Sequence, residues 1–126
     1  AGLPDAPIED VRLSGVAISM GRSGQGPDSL DAIPEKPKDY PDPTMFGALP
    51  ASGLYVRHAA RLTLQGVSLV PAAGEARPAL VADDVRQLRM LDADLPSAWL
   101  HDCPQVVIRS ETDRKQFRIT GKSNPG

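Results

Sequence analysis

The chain is poor in rings. Aromatic residues fill 4% of its 126 positions, so any core has to be built from Val, Leu and Ile. One cysteine, Cys103, excludes an internal disulfide and any multi-cysteine metal site. No run of about 18 apolar residues occurs, and the N-terminus lacks a basic-then-apolar leader pattern. The expectation is a soluble chain, mature or cytosolic, with no membrane partner. Neither sign of charge dominates. With 14 basic and 16 acidic residues the net charge is −2, which leaves no broad basic footprint for nucleic acid. Helical i, i+3, i+4 stripes are nearly absent too, cut by proline or replaced by strict alternation.

Proline and glycine are abundant instead, at 13 and 11 residues. The length suits one domain over 1–126. Of the 27 Val, Leu and Ile residues, 23 lie within 8–18 or 54–119. The intervening stretch 19–53 holds six of the 13 prolines and few apolar residues, and reads as one long Pro/Gly-rich loop. The tail 114–126 reads as an edge or a frayed end.

Outside the loop, short alternating segments recur with polar corners between them. Leu54 and Val56, Leu62 and Leu64, and Val67 and Leu69 alternate within 53–70. The scheme returns with Leu80, Leu88 and Met90, and again with Ala98, Leu100, Val106 and Ile108. From Leu54 to Leu80 and from Leu62 to Leu88 the interval is 26; from Leu80 to Ala98 and from Leu88 to Val106 it is 18. Val11 and Leu13 precede Leu62 and Leu64 by 51, as Val16 and Ile18 precede Val67 and Leu69. Constant offsets between paired segments are the mark of stacked coils that bury their apolar faces on one another. The expected fold is all-β, a short right-handed parallel β-helix of about four or five coils. A leucine-rich repeat lacks its Asn ladder and helical half-turn here. A small β-sandwich stays open, because alternation is common to both.

The run "YPDPTMFGALPASGLYVRH" carries a resemblance. With Tyr40, Pro41, Pro43, Met45, Phe46, Gly47, Leu49, Pro50, Ala51, Gly53, Tyr55, Val56, Arg57 and His58, it is similar to the segment "YP-x-P-x-MFG-x-LPA-x-G-x-YVRH" of bacterial glycoside hydrolase family 28 proteins, the polygalacturonase-like parallel β-helices. "PIEDVRLSGVAIS" and "ARPALVADDV" resemble the coils before and after it, so the likeness spans about residues 1–95 and the C-terminal coils only. It implies a secreted or periplasmic carbohydrate-associated protein, with 40–58 as a loop folded onto the helix flank. Tyr40, Met45 and Phe46 would anchor that loop, and they join Tyr55 and Arg57 as candidate ligand contacts. That family cleaves galacturonide bonds with carboxylates on both sides of the bond. Its Asn-Thr-Asp, Gly-His-Gly and Arg-Ile-Lys elements are absent here, and Asp83-Asp84 falls in a later coil. No catalytic residue carries over.

The residues leave one catalytic candidate of their own. His58, Asp84 and Asp102 are separated by 26 and then 18 positions, so stacked coils would put them on one ladder about 4.8 Å apart. A carboxylate beside an imidazole raises its basicity for general-base work; the plainer alternative is a solvated polar ladder worth little. Ser97, Ser110 and Cys103 lack a nucleophile-elbow context, and Cys103 reads as a small core residue. His101 and Asp102 form a corner pair, and His101 with His58 is too sparse for a metal site. "GRSGQG" at 21–26 reads as a turn, not a phosphate loop. Arg114, Lys115, Arg118 and Lys122 belong to the tail. Three functions follow as expectations: a carbohydrate-associated scaffold or binding remnant, a small hydrolase (esterase or glycosidase) using the His58/Asp84 ladder, or an inactive structural fragment. No cofactor is called for. Exposed coil ends, with Trp99 and Tyr55 as anchors, suggest a homo-oligomer, a trimer first.

Overall fold

The computed structural model describes residues 2–35, 48–109 and 116–124. In chain order the strands are β1 (Val11–Ser14), β2 (Ala17–Ser19), β3 (Leu54–Gln65), β4 (Ser68–Val70), β5 (Leu80–Leu91), β6 (Ala98–His101), β7 (Gln105–Arg109) and β8 (Phe117–Thr120); one 3₁₀ turn, Leu30–Ala32, interrupts the loop. Every strand pairing is parallel. That excludes the antiparallel sandwich left open above, and the chain is all-β with parallel sheets.

The register obtained by subtraction is the register observed. Val11 stands opposite Leu62, Ile18 opposite Leu69, Leu54 opposite Leu80 and Leu62 opposite Leu88. Leu80 meets Ala98 and Leu88 meets Val106. A parallel ladder stacks like on like, so each inward position adds to a continuous apolar column. Leu62, Leu64, Leu80, Leu88 and Leu100 have no exposed surface, and Cys103 is equally buried among them.

β3 and β5 are each twelve residues long, but they pair in two strips. Residues 54–57, 80–83, 98–101 and 117–120 form the first strip. Residues 11–14, 59–65, 85–91 and 105–109 build the second. A third joins β2 to β4, which is bridged to Asp94. One left-handed residue turns each corner. Between the first two strips these are His58, Asp84, Asp102 and Gly121, and before the third they are Gly15, Gly66 and Asp92, all with φ between 52° and 64°. A single αL residue bends the chain without breaking the ladder, since Gly15, Gly66 and Asp92 still donate to Gln65, Leu91 and Arg109. His and Asp tolerate this region better than most side chains.

The loop differs from expectation in its beginning and its packing. β2 runs through Ser19, and the Met20 amide still donates to the Val70 carbonyl. The loop also buries Leu30, Ile33 and Ala51 against Val81, Tyr55 and Trp99, forming a second apolar cluster on the outer side of the first strip. This explains the nearly unbroken apolar start of β5: both faces of Leu80–Ala82 are covered, so alternation lapses. Over its described residues, 116–124, the tail runs along an edge of the sheet. β8 pairs with β6, and Ser123 and Asn124 are hydrogen-bonded back to Leu100, Thr120, Cys103 and Val106.

Candidate functional site

The αL corners decide where the polar residues point. At 58, 84 and 102 the side chain leaves the ladder at the bend, so the three predicted candidates do share one edge of the molecule. His58 Nδ1 lies 2.7 Å from Asp84 Oδ2. Asp102 is engaged elsewhere. Its Oδ1 accepts from the Lys122 amide at 2.9 Å, and its Oδ2 lies 3.4 Å from His101 Nε2.

The decisive partner of His58 comes from the loop. Glu35 Oε1 and Oε2 lie 2.9 and 3.0 Å from His58 Nε2. Both ring nitrogens therefore face carboxylates, and only the protonated imidazolium can donate to both. Burial opposes that charge, but the bonds to Glu35 and Asp84 outweigh it and raise the His58 pKa above its ordinary 6.5. A general base needs a nitrogen lone pair facing substrate. His58 offers none in this arrangement.

Arg57 braces the same cluster. Its NH2 is 3.0 Å from Glu35, its NH1 donates to the Ile33 carbonyl at 2.9 Å, and its Nε lies 3.2 Å from Asp83 Oδ2. That last contact is an ion pair without hydrogen-bond alignment, leaving the buried Nε without a hydrogen-bond partner. Asp83 is 7% exposed; burial pushes its pKa up, against the pull of the Arg57 charge. Arg57 is thus a brace rather than a free ligand contact. Tyr55 packs under the loop cluster, where burial pushes its phenol up to about 12. Tyr40, Met45, Phe46, Ser110, Arg114 and Lys115 lie outside the described residues.

Other candidates have structural duties. Ser97 Oγ accepts from the Ala79 amide. The Cys103 thiol is buried beside the Ala82 and His101 carbonyls, and burial pushes it up to about 11, far from a reactive thiolate. No cluster of three metal-ligating side chains occurs among the described residues.

One cavity among the described residues lies away from His58. A cleft of about 460 Å³ opens between Gly24–Asp28, Ala76–Pro78 and the outward side chains of Trp99 and Arg118. A smaller recess of about 150 Å³ continues it past Asp31 and His101, sharing Asp28, Trp99 and Arg118. Arg118 lies over the indole at 4.3 Å. Thr120 Oγ1 accepts from Trp99 Nε1 at 2.9 Å and sits 2.8 Å from His101 Nδ1, which fixes the floor.

One wall is stapled by an ion pair that sequence reading missed. The Glu75 side chain has no exposed surface. It accepts from Gly24 N, Arg77 N, Arg77 Nε and Arg77 NH2 at 2.8–3.1 Å. The Arg77 hydrogen bonds hold its carboxyl down at about 2. The "GEAR" turn at 74–77 offered a signal for this pair, and Trp99 with Arg118 and Thr120 stand on adjacent strands. Nothing periodic marks Glu35.

No family model, curated protein or solved structure matches the chain.

Proposed function

We propose that the chain is a short right-handed parallel β-helix of the polygalacturonase-like kind that binds carbohydrate and does not cleave it. The groove around Trp99 carries this reading. It joins an aromatic wall to the exposed guanidinium of Arg118, which lies over the indole, and to the acceptors Asp28 and Asp31. An apolar ring face flanked by donors and acceptors suits a sugar, whose faces are apolar and whose rim is hydroxyl. The three pairing strips with αL corners support the coil reading, and the family likeness supports the ligand class.

The hydrolase alternative has one observation in its favour, the 2.7 Å contact of His58 with Asp84. Against it stands Glu35 on the other ring nitrogen. Trp99 is the single tryptophan, so its fluorescence reports the groove directly. Titration with polygalacturonate and with neutral oligosaccharides is expected to shift it saturably, and Arg118→Ala is expected to weaken binding about tenfold, in line with loss of one charged contact. Polygalacturonate and short-chain chromogenic esters are expected to remain uncleaved. Turnover abolished by His58→Ala would replace this reading with the hydrolase; absence of any binding or turnover by folded protein would leave an inactive structural fragment.

A further inference from the structure

We infer that Glu35, His58 and Asp84 form a proton-dependent latch that holds the loop against the outer side of the first strip. At its ends the described loop is tied by backbone bonds from Met20 to Val70 and from Ser52 and Gly53 to Pro78 and Ala79, and side chains tie it in between. Glu35 is held by His58 and Arg57, Ile33 by Arg57 NH1, Gly24 by Glu75, and Leu49 by Arg77. Only the first involves a group that changes charge near neutral pH.

The chemistry of a doubly engaged imidazole makes the tie all-or-none. Protonated, His58 donates Nδ1–H to Asp84 and Nε2–H to Glu35. Neutral, it keeps one proton, and the bare nitrogen then points its lone pair at a carboxylate within 3.0 Å. One contact must open. Asp84 stays beside His58 because β3 and β5 are hydrogen-bonded on either side of the corner, at Arg57 with Asp83 and Ala59 with Val85. Glu35 has no such ladder, so the loop is the side that yields.

The surrounding charges do not replace the lost proton. Arg57, on β3, is shared between Glu35 and Asp83, and Asp83 and Asp84 from β5 add negative charge. The N-terminal segment, whose Ile8 amide donates to the His58 carbonyl, carries Asp5 and Glu9 with exposed side chains. The raised His58 pKa supports the same picture.

Two residues before Glu35, Ile33 is buried with Leu30 in the cluster that includes Trp99, and Asp28–Asp31 line the recess. Opening the latch therefore loosens the groove wall. That gating rests on the carbohydrate-binding reading above, whereas the latch itself does not.

The test is a titration from pH 6 to 9 of Trp99 fluorescence and of amide exchange in 28–35, corrected for intrinsic rate and referred to β5. Wild type is expected to show one step above pH 6.5, with exchange in 28–35 rising several-fold while β5 stays protected. His58→Gln is expected to lack the step, Glu35→Gln to move it to lower pH, and His101→Gln, beside Trp99, to keep it. A step that survives in His58→Gln, or no step in wild type, overturns the latch. If the step is present but no polygalacturonate or neutral oligosaccharide binds at any pH, the latch stands and the binding reading falls. Binding with no pH step has the reverse meaning.

Discussion

His58 shows how much one residue's partners matter. Its position on a ladder is a matter of counting, but its chemistry is set by the second carboxylate. Because the folded state holds the imidazole proton more tightly than the unfolded chain, the sign is definite. The stabilisation is complete below about pH 6.5 and is lost as pH rises through the higher folded value. Urea midpoints measured across that window are expected to fall in wild type and stay flat in His58→Gln. Glu75 has the opposite sense. Its depressed pKa makes its contribution complete above about 4.5 and lost as pH falls toward 2; Glu75→Gln is expected to shrink the drop in thermal midpoint between pH 5 and pH 3. The corners supply a third residue-scale case. Gly66 has φ +61° with no atom closer than 3.7 Å to an added Cβ, so only backbone strain resists substitution. Gly66→Ala is expected to cost about 1–2 kcal/mol. Gly66→Asp is expected to cost less, since Asp92 already fills the matching corner one layer on.

At the scale of elements, the inward columns carry the fold and the loop is an addition. Leu88 lies between Leu62 and Val106 with no exposed surface. Leu88→Ala leaves a hole that ladder-bound neighbours cannot close, and chemical denaturation is expected to read a loss of about 2–5 kcal/mol. The strands were legible because alternation and constant offsets both constrain register: a one-residue slip would turn Leu62, Leu64, Leu88 and Met90 outward together. The loop was not legible in this way. It has no period, and its anchors Leu30 and Ile33 are ordinary apolar residues whose importance comes from what they cover. Tyr55 and Trp99, candidate oligomer anchors by sequence, are also the partly buried residues against which that loop cluster packs.

For the whole molecule, parallel stacking leaves the outer edges of β1 and β8 unpaired among the described strands, and Ile8, Ile18, Val107 and Ile119 are each more than a third exposed. Open edges of this kind pair readily with other chains. We propose a homo-oligomer, a trimer first; sedimentation equilibrium is expected to return a multiple of 13.4 kDa, and a monomer mass at working concentrations removes the proposal.

The sequence by itself determined which residues stack on which, because parallel pairing repeats a local pattern at fixed intervals and intervals can be counted. Only the tertiary structure decided what the outward side chains meet. Glu35 reaches His58, Gly24 reaches Glu75, and the loop roofs Val81 through contacts between segments that share no period. A ladder is written in the spacing of residues; a lid laid across it is settled by where the folded chain returns.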